Sequence, residues 1–188
     1  MKLILASGSP RRRELLGLYT AEFEVCPSAF DERAVHADTP AALAGALARG
    51  KCLAVAAQHP GRLVLGSDTV VELEGRVFGK PADAADAARM LRALSGRTHL
   101  VHTGVWVSDG ERDEGFVDSC KVTFFPIPEE EIQRSIASGE PFDKAGAYGI
   151  QGSAALWLDR LEGDYYTIMG LPVSRTARLL DRFDLEKR

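Results

Sequence analysis

Two kinds of apolar run follow one another along the chain. Short runs rich in β-branched or aromatic residues predict strands, whereas longer runs with Ala, Leu or Met at helical spacing predict helices. The predicted strands are Lys2–Ala6, Phe23–Pro27, Leu63–Leu65, Thr69–Leu73, Arg76–Phe78, Thr98–Val107, Phe116–Phe125 and Ala154–Leu161. The predicted helices are Arg11–Tyr19, Thr39–Gln58, Asp83–Leu94, Glu129–Ser138 and Pro172–Phe183.

This alternation of strands and helices predicts an α/β fold. The two long central strands, Thr98–Val107 and Phe116–Phe125, are separated by a charged turn, so part of the sheet is expected to be antiparallel. We therefore expect a mixed, twisted central sheet flanked by helices. The length of 188 residues suits one domain, 1–188, or two small lobes that share a core.

Composition and charge narrow the class of protein. A hydrophobic fraction of 45% and a charged fraction of 27% are typical of a soluble globular chain. The net charge of -4 argues against a protein that coats nucleic acid, because such domains usually carry a basic excess. It leaves room for a local basic pocket that binds a small anion.

The cysteines and the N-terminal segment indicate the compartment. Cys26, Cys52 and Cys120 are odd in number, widely spaced and without a CxxC pair, which favours free thiols over disulfides or a zinc site. The first apolar run is too short for a signal peptide. No stretch approaches the roughly 20 apolar residues that span a bilayer. We expect a cytoplasmic protein with no membrane partner.

A basic segment at residues 7–13, Ser-Gly-Ser-Pro-Arg-Arg-Arg, lies at a predicted strand-to-helix junction. Free backbone N–H groups and the positive end of the helix dipole favour an anion there, and arginines suit phosphate. Cations at a helix N-terminus oppose the dipole unless an anion joins them. The segment therefore predicts a triphosphate cradle, with a solvated basic turn as the alternative. It is not a Walker A loop, because it lacks the Gly-Lys-Ser/Thr ending.

Acidic residues in two segments suit metal or proton chemistry. Asp68, in Gly-Ser-Asp-Thr at 66–69, is expected in a small-residue turn where a short buried strand ends. It can hold a metal ion or accept a proton from water, or it can cap its own turn. Asp31 and Glu32 can ligate Mg²⁺ or Mn²⁺ through oxygen, although loop acids are commonly just solvated.

Two lysines and a glycine-rich segment complete the candidates. Lys80, between Gly79 and Pro81, can reach a phosphate as a point charge. Lys51 falls on an apolar stripe of its helix, so it either snorkels to solvent or points inward to a phosphate or carboxylate. In residues 143–152, three glycines allow close backbone approach, and the Gln151 amide can pair with a base edge. The four histidines show no ligand-like grouping and are interpreted as surface or structural residues.

In order and spacing, four of these segments resemble the Maf family of nucleotide pyrophosphatases. They are LASGSPRRRELL, GSDTVV, FGKPADAADAARMLRALSGRTHLVHTGV and DKAGAYGIQG, and the match runs from Leu5 to Pro172. The resemblance implies a fold like that of inosine triphosphate pyrophosphatase, with two lobes around a cleft. It also implies hydrolysis of a nucleoside triphosphate to the monophosphate and pyrophosphate.

The resemblance assigns roles to matching positions. Asp68 matches the proton acceptor and Glu32 an acidic position used in metal binding or catalysis, so both are expected to hold a Mg²⁺ or Mn²⁺ cofactor. The catalytic set is Asp68, Glu32, Lys51 and Lys80, in which the lysines also bind phosphate. The remaining phosphate-binding residues are Ser7, Arg12 and Arg13.

In three residues the chain is similar to the branch of the family that acts on dTTP and UTP. They are Arg11 after the proline, Thr69 after the aspartate, and Gln151 in the GIQG run. The branch that prefers 7-methyl-GTP typically has Gln where Thr69 stands. One departure is Thr167, where the family commonly has Asn, which puts any role for that position in doubt.

The resemblance also suggests a homodimer that binds a nucleoside triphosphate and no nucleic acid. Two alternatives remain at this point. One is a non-catalytic nucleotide-binding regulator of cell division that uses the same pocket. The other is a phosphatase that releases inorganic phosphate, which the residue types do not exclude.

Overall fold

The computed structural model describes residues 2–183, which contain a mixed sheet with α-helices packed on it. The strands are β1 (Leu3–Leu5), β2 (Phe23–Val25), β3 (Leu63–Leu73), β4 (Arg76–Phe78), β5 (Thr98–Ser108), β6 (Asp113–Phe124) and β7 (Leu158–Glu162). The α-helices are α1 (Pro10–Gly17), α2 (Pro40–Ala56), α3 (Ala84–Leu94), α4 (Glu129–Ala137), α5 (Tyr165–Met169) and α6 (Val173–Asp181). Short 3₁₀ turns cover Glu32–Ala34, Glu140–Asp143, Ala145–Ala147 and Ser153–Leu156.

The sheet confirms the predicted mixed α/β architecture. Its strand order is β2-β1-β3-β5-β6-β7, and β4 pairs with β3 off this path. β1 runs parallel to both of its neighbours, whereas the pairs β3–β5, β5–β6 and β6–β7 are antiparallel. The long central strands therefore form the antiparallel part that the charged turn between them predicted.

β3 is one continuous strand, and the predicted turn at Gly66–Asp68 is wrong. Its pairing with β5 runs unbroken from Val64 to Glu72. Gly66 serves a close approach between strand and helix: a Cβ there would lie 2.5 Å from the Ala48 carbonyl oxygen and 2.7 Å from the Cys52 backbone nitrogen. A glycine within a strand can mark such an approach as well as a turn. Asp68 consequently lies in the middle of the strand and not at its end.

Alternation along β3 sends adjacent side chains to opposite faces of the sheet. On one face, Val64 packs with Cys52 and Val55 of α2. On the other face, Leu63 and Leu65 join the main core. That core also includes Leu15 and Leu16, the buried residues of α1. Consecutive residues of β3 therefore face two different helices.

The C-terminal third differs from the sequence prediction in two places. The predicted strand Ala154–Leu161 begins as the 3₁₀ turn Ser153–Leu156, and strand pairing starts only at Leu158. The short helix α5 was not predicted, because five residues carry too little periodicity to be recognised. Its signals are local ones: Asp164 accepts a hydrogen bond from the Tyr166 backbone, and Gly170 ends the helix with φ of 105°.

Among the helices of residues 2–183, none is both long enough and apolar enough to cross a bilayer.

Candidate active site

A cleft of about 990 Å³ opens beside β3 and contains most of the residues that the sequence singled out. Its size is that of a small-molecule site. Its walls come from α1, α2, β3, the 3₁₀ turn at Glu32 and the 143–150 segment. The sequence-predicted site residues among its lining are Arg11, Arg12, Glu32, Lys51, Asp68, Thr69 and Lys80.

The Lys51 ammonium bridges two carboxylates in this cleft. Its Nζ lies 2.5 Å from Oδ1 of Asp68 and 2.8 Å from Oε1 of Glu32. The side chains of Lys51 and Asp68 are only 14% and 12% exposed. Lys51 therefore points inward from α2, which decides between the two alternatives that its helical position left open.

Glu32 and Asp31 use their carboxylates differently. Asp31 caps the 3₁₀ turn, since its Oδ1 accepts a hydrogen bond from the Arg33 backbone at 3.1 Å. Glu32, the first residue of that turn, reaches across to Lys51 and is 54% exposed at the mouth of the cleft. The capped turn thus directs one of the two acids towards Asp68.

The donor set fits a divalent cation that shares its coordination with substrate. Glu32 and Asp68 each bring an oxygen to the same ammonium group, so the two carboxylates converge on one point. Mg²⁺ favours oxygen ligands and is commonly held by one or two carboxylates together with substrate phosphates. Within residues 2–183, no group of three or more His, Cys, Asp or Glu side chains forms a complete protein cage.

Arg12 is anchored by three hydrogen bonds on the other face of β3. Nε donates to the Gly170 carbonyl at 2.9 Å, Nη2 to Oγ1 of Thr69 at 3.0 Å, and Nη1 to Oγ of Ser7 at 3.3 Å. Burial lowers the pKa of the Arg12 guanidinium, and the nearby Asp68 carboxylate acts in the opposite direction. An arginine pKa starts so high that the group stays charged. The result is a fixed cation at the wall of the cleft.

A chain of hydroxyl groups continues from Arg12 into the core. Thr69 Oγ1 lies 2.8 Å from Thr103 Oγ1, and the Thr103 hydroxyl donates to the Thr167 carbonyl at 2.7 Å. A hydroxyl has one hydrogen, so Thr103 has none left for Thr69, and Thr69 must donate to Thr103. Oγ1 of Thr69 can therefore only accept from a ligand in the cleft.

The Thr167 side chain has a structural partner. It is fully buried, and its hydroxyl donates to Oδ2 of Asp118 at 2.5 Å. Asp118 also pairs with Arg175 of α6. Thr167 thus joins α5 to β6 behind the cleft and contributes its carbonyl to the hydroxyl chain.

Three predicted site residues are not among the residues that line the cleft. Ser7 is buried, and its Oγ accepts a hydrogen bond from Nη1 of Arg12. Arg13 is exposed on α1, one position beyond Arg12. Gln151 is exposed and follows Gly149 and Ile150, which do line the cleft.

Sequence reasoning missed Thr103 and assigned no role to Lys144. Thr103 lies opposite Thr69 in the β3–β5 register, which alternation alone does not provide. Lys144 lines the cleft, and its Nζ donates to the Glu140 carbonyl and to Oδ1 of Asp143, both at 2.7 Å. The charge of Lys144 in a glycine-rich segment was the signal that could have identified it.

Two histidines of β5 occupy structural positions, as the absence of a ligand-like grouping suggested. His99 is buried, with Nε2 2.8 Å from the Tyr148 hydroxyl, and burial lowers the pKa of His99 to about 4. His102 lies between Ser119 and Glu72, at 2.7 Å from each. Through Tyr148, His99 supports the segment that forms one wall of the cleft.

Comparisons with known proteins show which family this chain resembles. A family described as Maf-like protein matches residues 2–183. A relative from Bacillus cytotoxicus, named dTTP/UTP pyrophosphatase, is 49% identical over 183 residues, which are 97% of this chain and 96% of the relative. A relative of the same name from Symbiobacterium thermophilum is 50% identical over 182 residues, which are 97% of this chain and 94% of the relative.

Solved structures of low sequence identity share the fold. The Ham1 protein of Staphylococcus aureus superposes with a TM-score of 0.57 at 12% identity, covering 97% of this chain and 100% of that chain. A HAM1 protein from Coxiella burnetii gives 0.50 at 16% identity, covering 96% and 98%. These similarities extend the agreement from sequence to architecture.

Proposed function

The chain belongs to the Maf family, and we propose that it is a nucleoside triphosphate pyrophosphatase that converts dTTP and UTP to the monophosphate and pyrophosphate. The observation that carries this proposal is the inward Lys51–Asp68 pair beside an anchored Arg12. It lies in a chain about half identical to proteins named dTTP/UTP pyrophosphatase. The arrangement combines cations for phosphates with a carboxylate for water.

The cationic wall of the cleft binds the triphosphate. Of the five N–H groups of the Arg12 guanidinium, three donate to protein atoms, so two remain for phosphate oxygens. Lys80 and Arg11 line the same cleft and add positive charge to it. A lysine ammonium can serve a phosphate as a point charge. Because Arg12 is held in advance, little conformational entropy is lost when phosphate binds.

Asp68 orients the attacking water and accepts its proton. In the nucleotide-free protein Lys51 contacts Oδ1 of Asp68, and this contact holds the carboxylate at the cleft before substrate enters. Attack in line on the α-phosphorus would release pyrophosphate. Transfer of this kind depends mainly on positioning and charge neutralisation, which these two residues and Arg12 supply.

Glu32 and Asp68 are the residues that would hold Mg²⁺ or Mn²⁺ together with the phosphates. Such an ion would neutralise phosphate charge and polarise the phosphorus. Glu32 is 54% exposed and lines the cleft, so it is accessible to a substrate that enters.

Thr69 and Gln151 select the base. Oγ1 of Thr69 is fixed as an acceptor by its donation to Thr103, so it suits the N3–H group of uracil or thymine and opposes the N3 acceptor of cytosine. The Gln151 amide can turn either way and serves a carbonyl of the base. Arg11, the third branch-specific residue, lines the cleft beside Arg12.

Product analysis in ¹⁸O-labelled water tests the proposed reaction. With dTTP and Mn²⁺, we expect dTMP and pyrophosphate, with the label in dTMP because water attacks the α-phosphorus. Asp68→Asn is the matched inactive control. Label in pyrophosphate would move the attack to the β-phosphorus, and release of inorganic phosphate would indicate a phosphatase. Binding of dTTP without turnover would favour the alternative of a non-catalytic nucleotide-binding regulator.

We also propose a domain organisation, a compartment, an oligomeric state and a range of partners, as the sequence predicts. The chain forms one domain, 1–188, acts in the cytoplasm as a homodimer, and binds neither nucleic acid nor membrane. Light scattering of the purified protein at several concentrations tests the dimer. A monomer mass at all concentrations would contradict the homodimer and leave the proposed reaction unaffected.

A further inference from the structure

Lys51 occupies the point on which the two proposed metal-binding carboxylates converge. Its Nζ is within 2.8 Å of both Glu32 and Asp68, and its side chain is only 14% exposed. Asp68 extends from β3, Glu32 from a 3₁₀ turn and Lys51 from α2, so three separate elements meet there. The ammonium is the internal counter-ion of both acids.

A divalent cation between the same two oxygens requires that space. Mg²⁺ approaches its oxygen ligands to about 2.0–2.1 Å, closer than the ammonium nitrogen does. Ammonium and metal ion carry charges of the same sign and repel each other at so short a separation. Both cations cannot lie between Glu32 and Asp68 together.

We infer that Lys51 is a built-in competitor of the divalent cation, which the phosphates of an incoming nucleotide draw away from Glu32 and Asp68. This inference rests on the proposed function for the identity of the cation and of the nucleotide. In the nucleotide-free protein Lys51 neutralises part of the charge of the two carboxylates and weakens metal binding. Once the lysine pairs with phosphate, the two acids are available to metal.

The consequence is positive coupling between nucleotide and metal. Whatever factor the nucleotide adds to metal affinity, the metal adds to nucleotide affinity, because the linkage is reciprocal. When both are bound, Lys51 pairs with phosphate and the two acids are available to the metal. Without nucleotide, the cleft binds a divalent cation only weakly.

Mn²⁺ binding to the nucleotide-free protein tests the competition directly. Free Mn²⁺ is measured by electron paramagnetic resonance for wild type, Lys51→Gln and Lys80→Gln. We expect Lys51→Gln to bind Mn²⁺ on the order of tenfold more tightly than wild type. Lys80→Gln is the matched control, since Lys80 is a lysine of the same cleft and is exposed. It removes an equal charge and is expected to change the affinity little.

A thermal measurement guards against a variant that folds poorly. Gln at position 51 leaves two carboxylates facing each other, so the variant is expected to melt lower than wild type and to regain stability when Mn²⁺ is added. The rise in Tm at a given Mn²⁺ concentration should exceed that of wild type. Adding Glu32→Gln to Lys51→Gln should remove the gain. If Lys51→Gln cannot be purified, Lys51→Arg must bind Mn²⁺ no more tightly than wild type.

Equal gains in Lys51→Gln and Lys80→Gln would overturn the inference, because the effect would then be one of general charge. Unchanged or weaker Mn²⁺ binding in Lys51→Gln, or tighter binding in Lys51→Arg, would overturn it as well. These results are independent of turnover. A protein that releases pyrophosphate from dTTP but shows no gain in Lys51→Gln retains the proposed function and loses only this inference.

Discussion

Nη2 of Arg12 donates a hydrogen bond to Oγ1 of Thr69 at 3.0 Å. Thr69 follows Asp68 in β3, and the two side chains project to opposite faces of the sheet. Arg12 of α1 and Lys51 of α2 are therefore tied to adjacent residues of one strand. The rigid strand fixes the phosphate-binding arginine relative to the carboxylate that faces water.

Replacing Arg12 with Lys should lower kcat/KM for dTTP by about a hundredfold or more, because a lysine cannot keep three anchoring bonds and still offer two donors. The matched change Arg13→Lys, on the exposed neighbour, should cost less than about fivefold. Steady-state kinetics of the two variants measure the difference. Equal losses would mean that Arg13 also contacts phosphate.

Thr103→Val should weaken base selection. It removes the acceptor of the Thr69 hydroxyl, so Thr69 can turn and donate to N3 of cytosine. We expect kcat/KM for dTTP to fall about fivefold, the value of one hydrogen bond, and that for dCTP to fall less or to rise. Thr103→Ser should restore the wild-type ratio.

Thr98→Val is the control for Thr103→Val. Thr98 lies on the same strand, and its hydroxyl pairs with Thr123 on the exposed side. Its replacement should leave the ratio of dTTP to dCTP unchanged. If Thr103→Val lowers both substrates in parallel, Thr103 supports the fold without selecting the base.

Gln151→Ala should reduce pyrimidine selectivity more than phosphate affinity. The exposed amide follows cleft-lining Gly149 and Ile150, so its loss leaves the phosphate contacts of Arg12 intact. The measurements are kcat/KM for dTTP, UTP and CTP, and the inhibition constant of pyrophosphate, which should stay constant. Equal losses for all three nucleotides would contradict this role.

Gly66→Ala should destabilise the fold by about 1–3 kcal/mol, because the added methyl group meets backbone atoms of α2 that cannot turn aside. Urea unfolding measures the free energy. Gly17→Ala is the control, since a Cβ at Gly17 has no atom within 4 Å. A Gly66→Ala protein as stable as Gly17→Ala would show that α2 moves away from β3 without cost.

Stability should fall as the pH drops from 6.5 towards 4. Burial lowers the pKa of His99 from 6.5 to about 4, so between these values the unfolded chain binds a proton that the folded chain does not. The loss reaches about 3 kcal/mol at the lower limit and is absent above pH 6.5. His99→Gln should flatten the unfolding free energy over this range, whereas exposed His36→Gln should not. Parallel profiles for the two variants would contradict the assignment.

The sequence was sufficient for the longer helices and for most strands, because amphipathic spacing and caps are local. Thr39 caps α2 as its hydroxyl and the following proline predicted. The turn predicted at Gly66 is wrong because the rule behind it is also local. Such a rule cannot detect a helix packed against a strand. The 3₁₀ turn at Ser153–Leu156 and helix α5 are too short to show a period.

By itself the sequence determined the α/β architecture, the family, and the identity of the charged residues, because these follow from residue types and short spacings. Only the tertiary structure decided which charges meet. Lys51 pairs with acids 17 and 19 positions away, and Arg12 is anchored by a carbonyl 158 positions away. Thr103 joins the site through strand register. Such contacts depend on how helices and strands pack, and that packing is fixed by the core as a whole.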